Sequence, residues 1–188
     1  MLLRKYSLPL AFIFLFFFSN PGYTEHSPLF SDNELEQLKL TQEEWSLELA
    51  QHQKFLSVKQ DAQPYTTGDK IKFDSDNELG PIVSIIDPTP VGDIYRSAAP
   101  VRLLVYLKSR MAPINLDSLR VKGKRGFFSL NITDRMMPFM RDPLDGENAD
   151  YVIDARIPKL SAGHYVLTLS LADMQGNQED HKAFLEVF

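Results

Sequence analysis

Hydrophobic and polar positions change their period twice along the chain. Residues 31–61 carry a helical rhythm: Trp45, Leu49, His52 and Leu56 recur at spacings of four, three and four, and Leu38 extends the same face backward. Leu40, Leu47 and Val58 form a thinner stripe nearly opposite. Ser31 with Glu34, and Thr41 with Glu44, repeat the capping-box spacing, in which a hydroxyl accepts a backbone N–H and the carboxylate reaches back. A short helix followed by a longer one is therefore expected. From Gly80 onward the period becomes two. Ile82–Ile86 is a short apolar run, Val101, Leu103, Val105 and Leu107 alternate with other side chains, and Leu119, Val121 and Gly123 alternate with Arg120, Lys122 and Lys124. Further strands are expected over Phe127–Ile132, then through Tyr151, Ile153, Ala155 and Ile157, through Tyr165 to Leu171, and through Ala183 to Val187. About seven short strands separated by turn residues read as an all-β sandwich, preceded by an N-terminal α-helical arm.

Composition divides the chain in the same way. Arg4 and Lys5 precede an apolar run, Leu8–Phe18, that is too short to span a bilayer at about 20 residues and is followed by small residues. Residues 1–24 are thus expected to be a signal peptide cut after Thr24, with an uncleaved N-terminal anchor as the rival. A periplasmic or secreted bacterial protein follows from the first. The chain has no cysteine, so the core must hold by burial alone. Residues 25–62 form the acidic helical arm, 63–80 a polar linker with one short strand at Ile71–Phe73, and 81–188 the sandwich domain. The whole chain carries 20 basic and 25 acidic side chains, but residues 25–80 alone are net −7 and the rest of the mature chain is neutral. Neither part has the basic excess that nucleic acid demands.

The stretch Pro158-Lys159-Leu160-Ser161-Ala162-Gly163-His164-Tyr165, the hairpin Asp173-Met174-Gln175-Gly176-Asn177 and the ending Phe184-Leu185-Glu186-Val187-Phe188 resemble the closing strands of bacterial immunoglobulin-like domains. Gly80-Pro81-Ile82-Val83, Pro100-Val101-Arg102-Leu103-Leu104-Val105 and the segment from Ala112 to Val121 are similar to their opening strands. The resemblance covers residues 80–188 and none of the arm. It implies an immunoglobulin-like sandwich of the kind found in small exported proteobacterial proteins and no particular activity. The paired cysteines and inter-sheet tryptophan of antibody domains are missing. The residues support the corner independently: Gly163 relieves the backbone, and Tyr165 can bury its ring while its hydroxyl bonds back to the chain.

Candidate chemistry is sparse. His26, His52, His164 and His181 stand apart, and no nucleophile-elbow, zinc-protease or phosphate-loop pattern occurs. A carboxylate pair of the glycosidase type converges only in space, so a small hydrolase stays a third possibility. No catalytic residue, cofactor or metal site is assigned. His52 on the apolar stripe has no second ligand at helical spacing and reads as a boundary residue.

The acidic loop with Asp142, Asp145, Glu147, Asn148 and Asp150 offers oxygen ligands, but not at EF-hand spacing; it is either a solvated loop or a calcium site. Arg120, Lys122, Lys124 and Arg125 would either protect an edge strand or bind a polyanion such as lipopolysaccharide phosphate or an acidic glycan. Trp45, Leu49 and Leu56 would dock the arm on its own domain, or serve self-association or an envelope protein. Phe127, Phe128 and the run Met136–Met140, with Phe139 at its centre, either fill the sandwich edge or form an adaptable contact surface. A non-catalytic protein-interaction module is the leading expectation, with a carbohydrate- or polyanion-binding accessory protein of the envelope as the alternative.

Overall fold

A computed structural model describes residues 29–61 and 79–188. The signal segment 1–24 and the linker from 63 to 78, with its expected strand, lie outside the described residues. Two helices open the fold, α1 (Asp32–Leu38) and α2 (Gln42–Asp61). Both capping boxes form as expected: Glu34 N–H donates to Ser31 Oγ while Ser31 N–H donates to Glu34, and Thr41 and Glu44 repeat the exchange.

Ten strands follow: β1 (Ile82–Asp87), β2 (Pro90–Val91), β3 (Ile94–Ser97), β4 (Val101–Lys108), β5 (Ile114–Arg125), β6 (Phe128–Asn131), β7 (Met140–Arg141), β8 (Tyr151–Ile157), β9 (Gly163–Asp173) and β10 (Gln178–Val187). A one-turn helix α3 (Thr133–Met136) and a 3-10 turn (Met137–Phe139) connect β6 to β7. The expectation of about seven strands missed β2, β3 and β7. Each has two to four residues, and none carries an alternating apolar pattern.

The strands form two sheets, ordered β1-β4-β8-β7 and β2-β3-β10-β9-β5-β6. All neighbours are antiparallel except β10 and β3. Val101, Leu103, Val105 and Leu107 of the small sheet meet Leu119, Val121, Leu169 and Leu171 of the large one, and all eight are almost fully buried in one continuous core. This is the alternating set that the period of two pointed to. The corner also matches: Tyr165 is buried, and its hydroxyl donates to the Ser161 carbonyl at 2.9 Å. At the β9–β10 turn, the buried Asp173 carboxylate accepts from the backbone N–H of Gln175 and Asn177 and from the Asn177 amide, while Gly176 takes φ +85°.

The helices are not a separate arm. Leu35 and Leu38 of α1, with Leu29 and Phe30 before it, are part of the main core and close one end of the sandwich. Lys39 then turns extended, which ends α1. Leu40 bridges to His164 at the start of β9, and α2 emerges on the outer face of the large sheet. The break separates Leu38 from the Trp45 stripe that it had been read to extend. The opposite stripe is not realised either: Leu40 precedes α2 and is buried, Leu47 is exposed, and Val58's side chain is outside the described set.

Two polar segments take roles set by their neighbours. Lys122 and Lys124 do not guard an edge, because β5 is paired there with β6 on one side and β9 on the other. In the acidic loop, Glu147 is gripped by Arg141 and also accepts from the Tyr106 hydroxyl, Asn148 from Lys108, and Asp150 from Ser109 N–H. These oxygens point at different protein donors. No group of three or more potential metal ligands occurs among the described residues.

Candidate functional site

Helix α2 crosses the outer face of the large sheet at an angle fixed by where that face is apolar. Outward positions of β9 and β10 pair as Val166 with Phe184, then Thr168 with Lys182, then Ser170 with Asp180. Trp45 and Leu49 pack on the first pair together with Leu40 and Ile94. The indole stacks on His164 and meets Phe184 edge-on at 5.4 Å. Two turns after Trp45, His52 still touches the Phe184 ring, at 5.1 Å. Beyond it the sheet offers only hydroxyls and charges, and the helix has nothing apolar to lie against.

A groove of about 870 Å³ opens at that point, between Gln51–Leu56 of α2 and the polar part of the sheet. Its floor carries Thr168 and Ser170, and Lys122, Lys124 and Ser129 stand on the β5–β6 side. Tyr95, His181 and Lys182 line the opposite side with Asp93, Glu179 and Asp180. The groove is electrically divided. Among the described residues Lys122 and Lys124 have no hydrogen-bonded or ion-pair partner and are exposed. Lys182 is held by Glu48, and Asp93 accepts from Gln53 at 3.1 Å, so the acidic side is partly tied to α2. Phe55 is 56% exposed at the lip and Leu56 is half-buried beneath it.

The histidines beside the groove are held toward the neutral form. Burial lowers the pKa of His181, and His52 nearby lowers it further. Burial also lowers that of His52, Lys182 adds to the effect, and Asp93 opposes it. The Tyr95 hydroxyl lies 3.3 Å from His181 Nε2 and is itself pushed up by burial. No serine or threonine hydroxyl bonds a histidine among the described residues.

The residues singled out in the sequence fall into three places. Leu56, Lys122 and Lys124 come together on the groove, although two separate surfaces were expected. Trp45 and Leu49 instead face the chain's own sheet, and Trp45 is only 4% exposed, so it cannot anchor a partner while α2 stays docked. Phe139 is half-buried against the main core. Of the other cations, Arg125 pairs with Glu44 at 3.1 Å, and Arg120 donates to the carbonyls of Asp117 and Leu119. The sequence reading missed Phe55, Asp93, Tyr95 and His181 as groove residues. Phe55 lies next to Leu56 but off the counted stripe; the other three are far from α2 in sequence and are brought beside it by the folding of the large sheet.

No family model matches the chain, and no curated protein matches it. Among solved structures it is similar to one described as murine CRIg, with a TM-score of 0.34 and 11% sequence identity over 57% of this chain and 95% of that one.

Proposed function

We propose that the chain is a non-catalytic, exported binding module with an immunoglobulin-like sandwich, acting in the periplasm or outside the cell. It holds a segment of an envelope protein in the groove between α2 and the large sheet. The observation that carries this reading is the convergence of the apolar Leu56 and Phe55 with the exposed Lys122 and Lys124 on one concavity. Such a site suits a segment with an apolar side chain flanked by carboxylates. Clefts with an apolar wall and a few placed polar groups are the usual form of binding sites.

Lys122→Glu with Lys124→Glu should abolish retention of a stoichiometric partner from envelope extract, and Phe55→Ala should weaken it at least tenfold. A partner retained equally by both variants would place the interface elsewhere. A second reading, an acidic glycan or lipopolysaccharide phosphate in the same groove, is favoured by the hydroxyls of Ser129, Thr168 and Ser170 beside the two lysines. Salt-sensitive binding of purified lipopolysaccharide that the double charge reversal removes would support it; salt-independent or absent binding would exclude it.

A further inference from the structure

The β5–β6 hairpin ends in a two-residue turn, Gly126-Phe127, with Gly126 at φ +53°, the positive φ that tight hairpin turns of the primed types require. The Phe127 side chain is completely exposed, and Phe128, the next residue, is 40% exposed. No other large apolar side chain of the described residues is as open as Phe127. Behind the tip, on the same hairpin, stand Lys124 and Lys122, which have no ion-pair partner among the described residues. Arg125 is neutralised by Glu44, so these two lysines are the hairpin's unbalanced cations.

We infer that this hairpin is a finger that inserts into an anionic lipid surface. The tip is convex and projects an aromatic ring past its own sheet, which suits a deformable interface; a protein partner would need a preformed pocket. At about 3.3 Å per residue, Lys124 and Lys122 lie roughly 10 and 17 Å behind Phe127 along the strand. When the ring enters the acyl boundary, Lys124 stands near the phosphate layer, within a Debye length at 0.1 M salt. Lys122, two residues further back, is about 7 Å from that layer, also inside the Debye length of about 10 Å at 0.1 M salt. No helix among the described residues is long and apolar enough to cross a membrane. The lipid contact uses the face that holds the groove's cationic side, but its apolar element is Phe127 and not Phe55.

The test uses the full chain and vesicles of phosphatidylcholine with or without phosphatidylglycerol. The apolar run Leu8–Phe18 is common to all proteins compared, so differences between variants report the hairpin. Phe127→Ser should lower binding to the anionic vesicles at least tenfold and Phe55→Ala should leave it unchanged. Lys122→Glu with Lys124→Glu should remove its salt dependence. As a second measurement, Phe127→Trp should gain a blue-shifted emission, quenched by brominated acyl chains, only with anionic vesicles. The inference is overturned if the Trp at 127 stays in water with both vesicle types. It is equally overturned if the charge reversals abolish binding while Phe127→Ser does not, which would mean adsorption by charge alone. Loss with Phe55→Ala and not with Phe127→Ser would assign the lipid contact to the groove.

Discussion

The Trp45 indole lies over the His164 imidazole, ring centroids 4.6 Å apart and planes 22° from parallel. His164 is at the start of β9 and Trp45 in the first turn of α2, so this stack fixes the point where the chain leaves the inside of the sandwich and crosses to its outer face. Trp45 is the chain's single tryptophan and reports on that docking alone. Trp45→Ala should cost about 3–5 kcal/mol, the range for truncating a buried large aromatic. Urea denaturation followed by circular dichroism measures it; a loss under about 1 kcal/mol would mean that α2 contributes little to the fold.

At the other helix, Gly123 lies under Leu38. A Cβ placed on Gly123 would stand 2.7 Å from Leu38 Cδ1 and 3.0 Å from Cδ2, and Leu38 is only 3% exposed. Gly123→Ala should therefore destabilise by about 1–3 kcal/mol through overpacking. The double variant with Leu38→Ala should lose less than the two singles together, because each relieves the other's misfit. Strict additivity in melting experiments would show that α1 does not seat on β5 in this way.

Acid stability should depend on two arginine-bound carboxylates. The Arg135 guanidinium, which donates to both Glu34 oxygens at 2.8 Å, holds the Glu34 pKa at about 2, below the ordinary 4.5, with Ser31 N–H assisting. Arg141, with Leu144 N–H assisting, does the same for Glu147, also to about 2. Each contribution is complete above the unfolded carboxylate range and is lost as pH falls from about 4.5 through about 2. Glu34→Gln and Glu147→Gln should each flatten the fall in melting temperature across that window. A wild-type melting temperature constant from pH 5 to 2.5 would contradict both.

Near neutrality the expected slope comes from His181 and His52, whose pKa values burial lowers from 6.5. A histidine kept neutral in the fold but free to protonate when unfolded makes stability decline as pH drops below 6.5, until the native ring also protonates. His181→Phe should reduce that decline. An NMR titration placing His181 above 6.5 would reverse the sign and refute it.

Removing only the Tyr165 hydroxyl should cost about 0.5–1.5 kcal/mol, the net worth of one hydrogen bond, because the ring stays packed in the core. Comparing Tyr165→Phe with Tyr165→Ala in urea separates the bond from the burial. A Tyr165→Phe variant as stable as the wild type, with a loss only in Tyr165→Ala, would leave the corner bond without a role.

The sequence by itself determined the two helices and their caps, seven of the ten strands, the inward face of those whose side chains alternate, the Tyr165 corner and the Asp173 turn. All of these depend on residues a few positions apart, where side-chain period and local hydrogen bonding act directly. Only the tertiary structure decided that the acidic helices are part of the sandwich, that Trp45 is consumed by its own sheet, and that Leu56 belongs with Lys122 and Lys124. Those facts turn on which outer-face residues of β9 and β10 lie side by side: Val166 beside Phe184 draws α2 down, and Thr168 beside Lys182 lets it lift away. Cross-strand register joins positions 14 to 18 residues apart in sequence. No hydrophobic period records that pairing, so the groove and the finger beside it emerge only when the sheet is assembled.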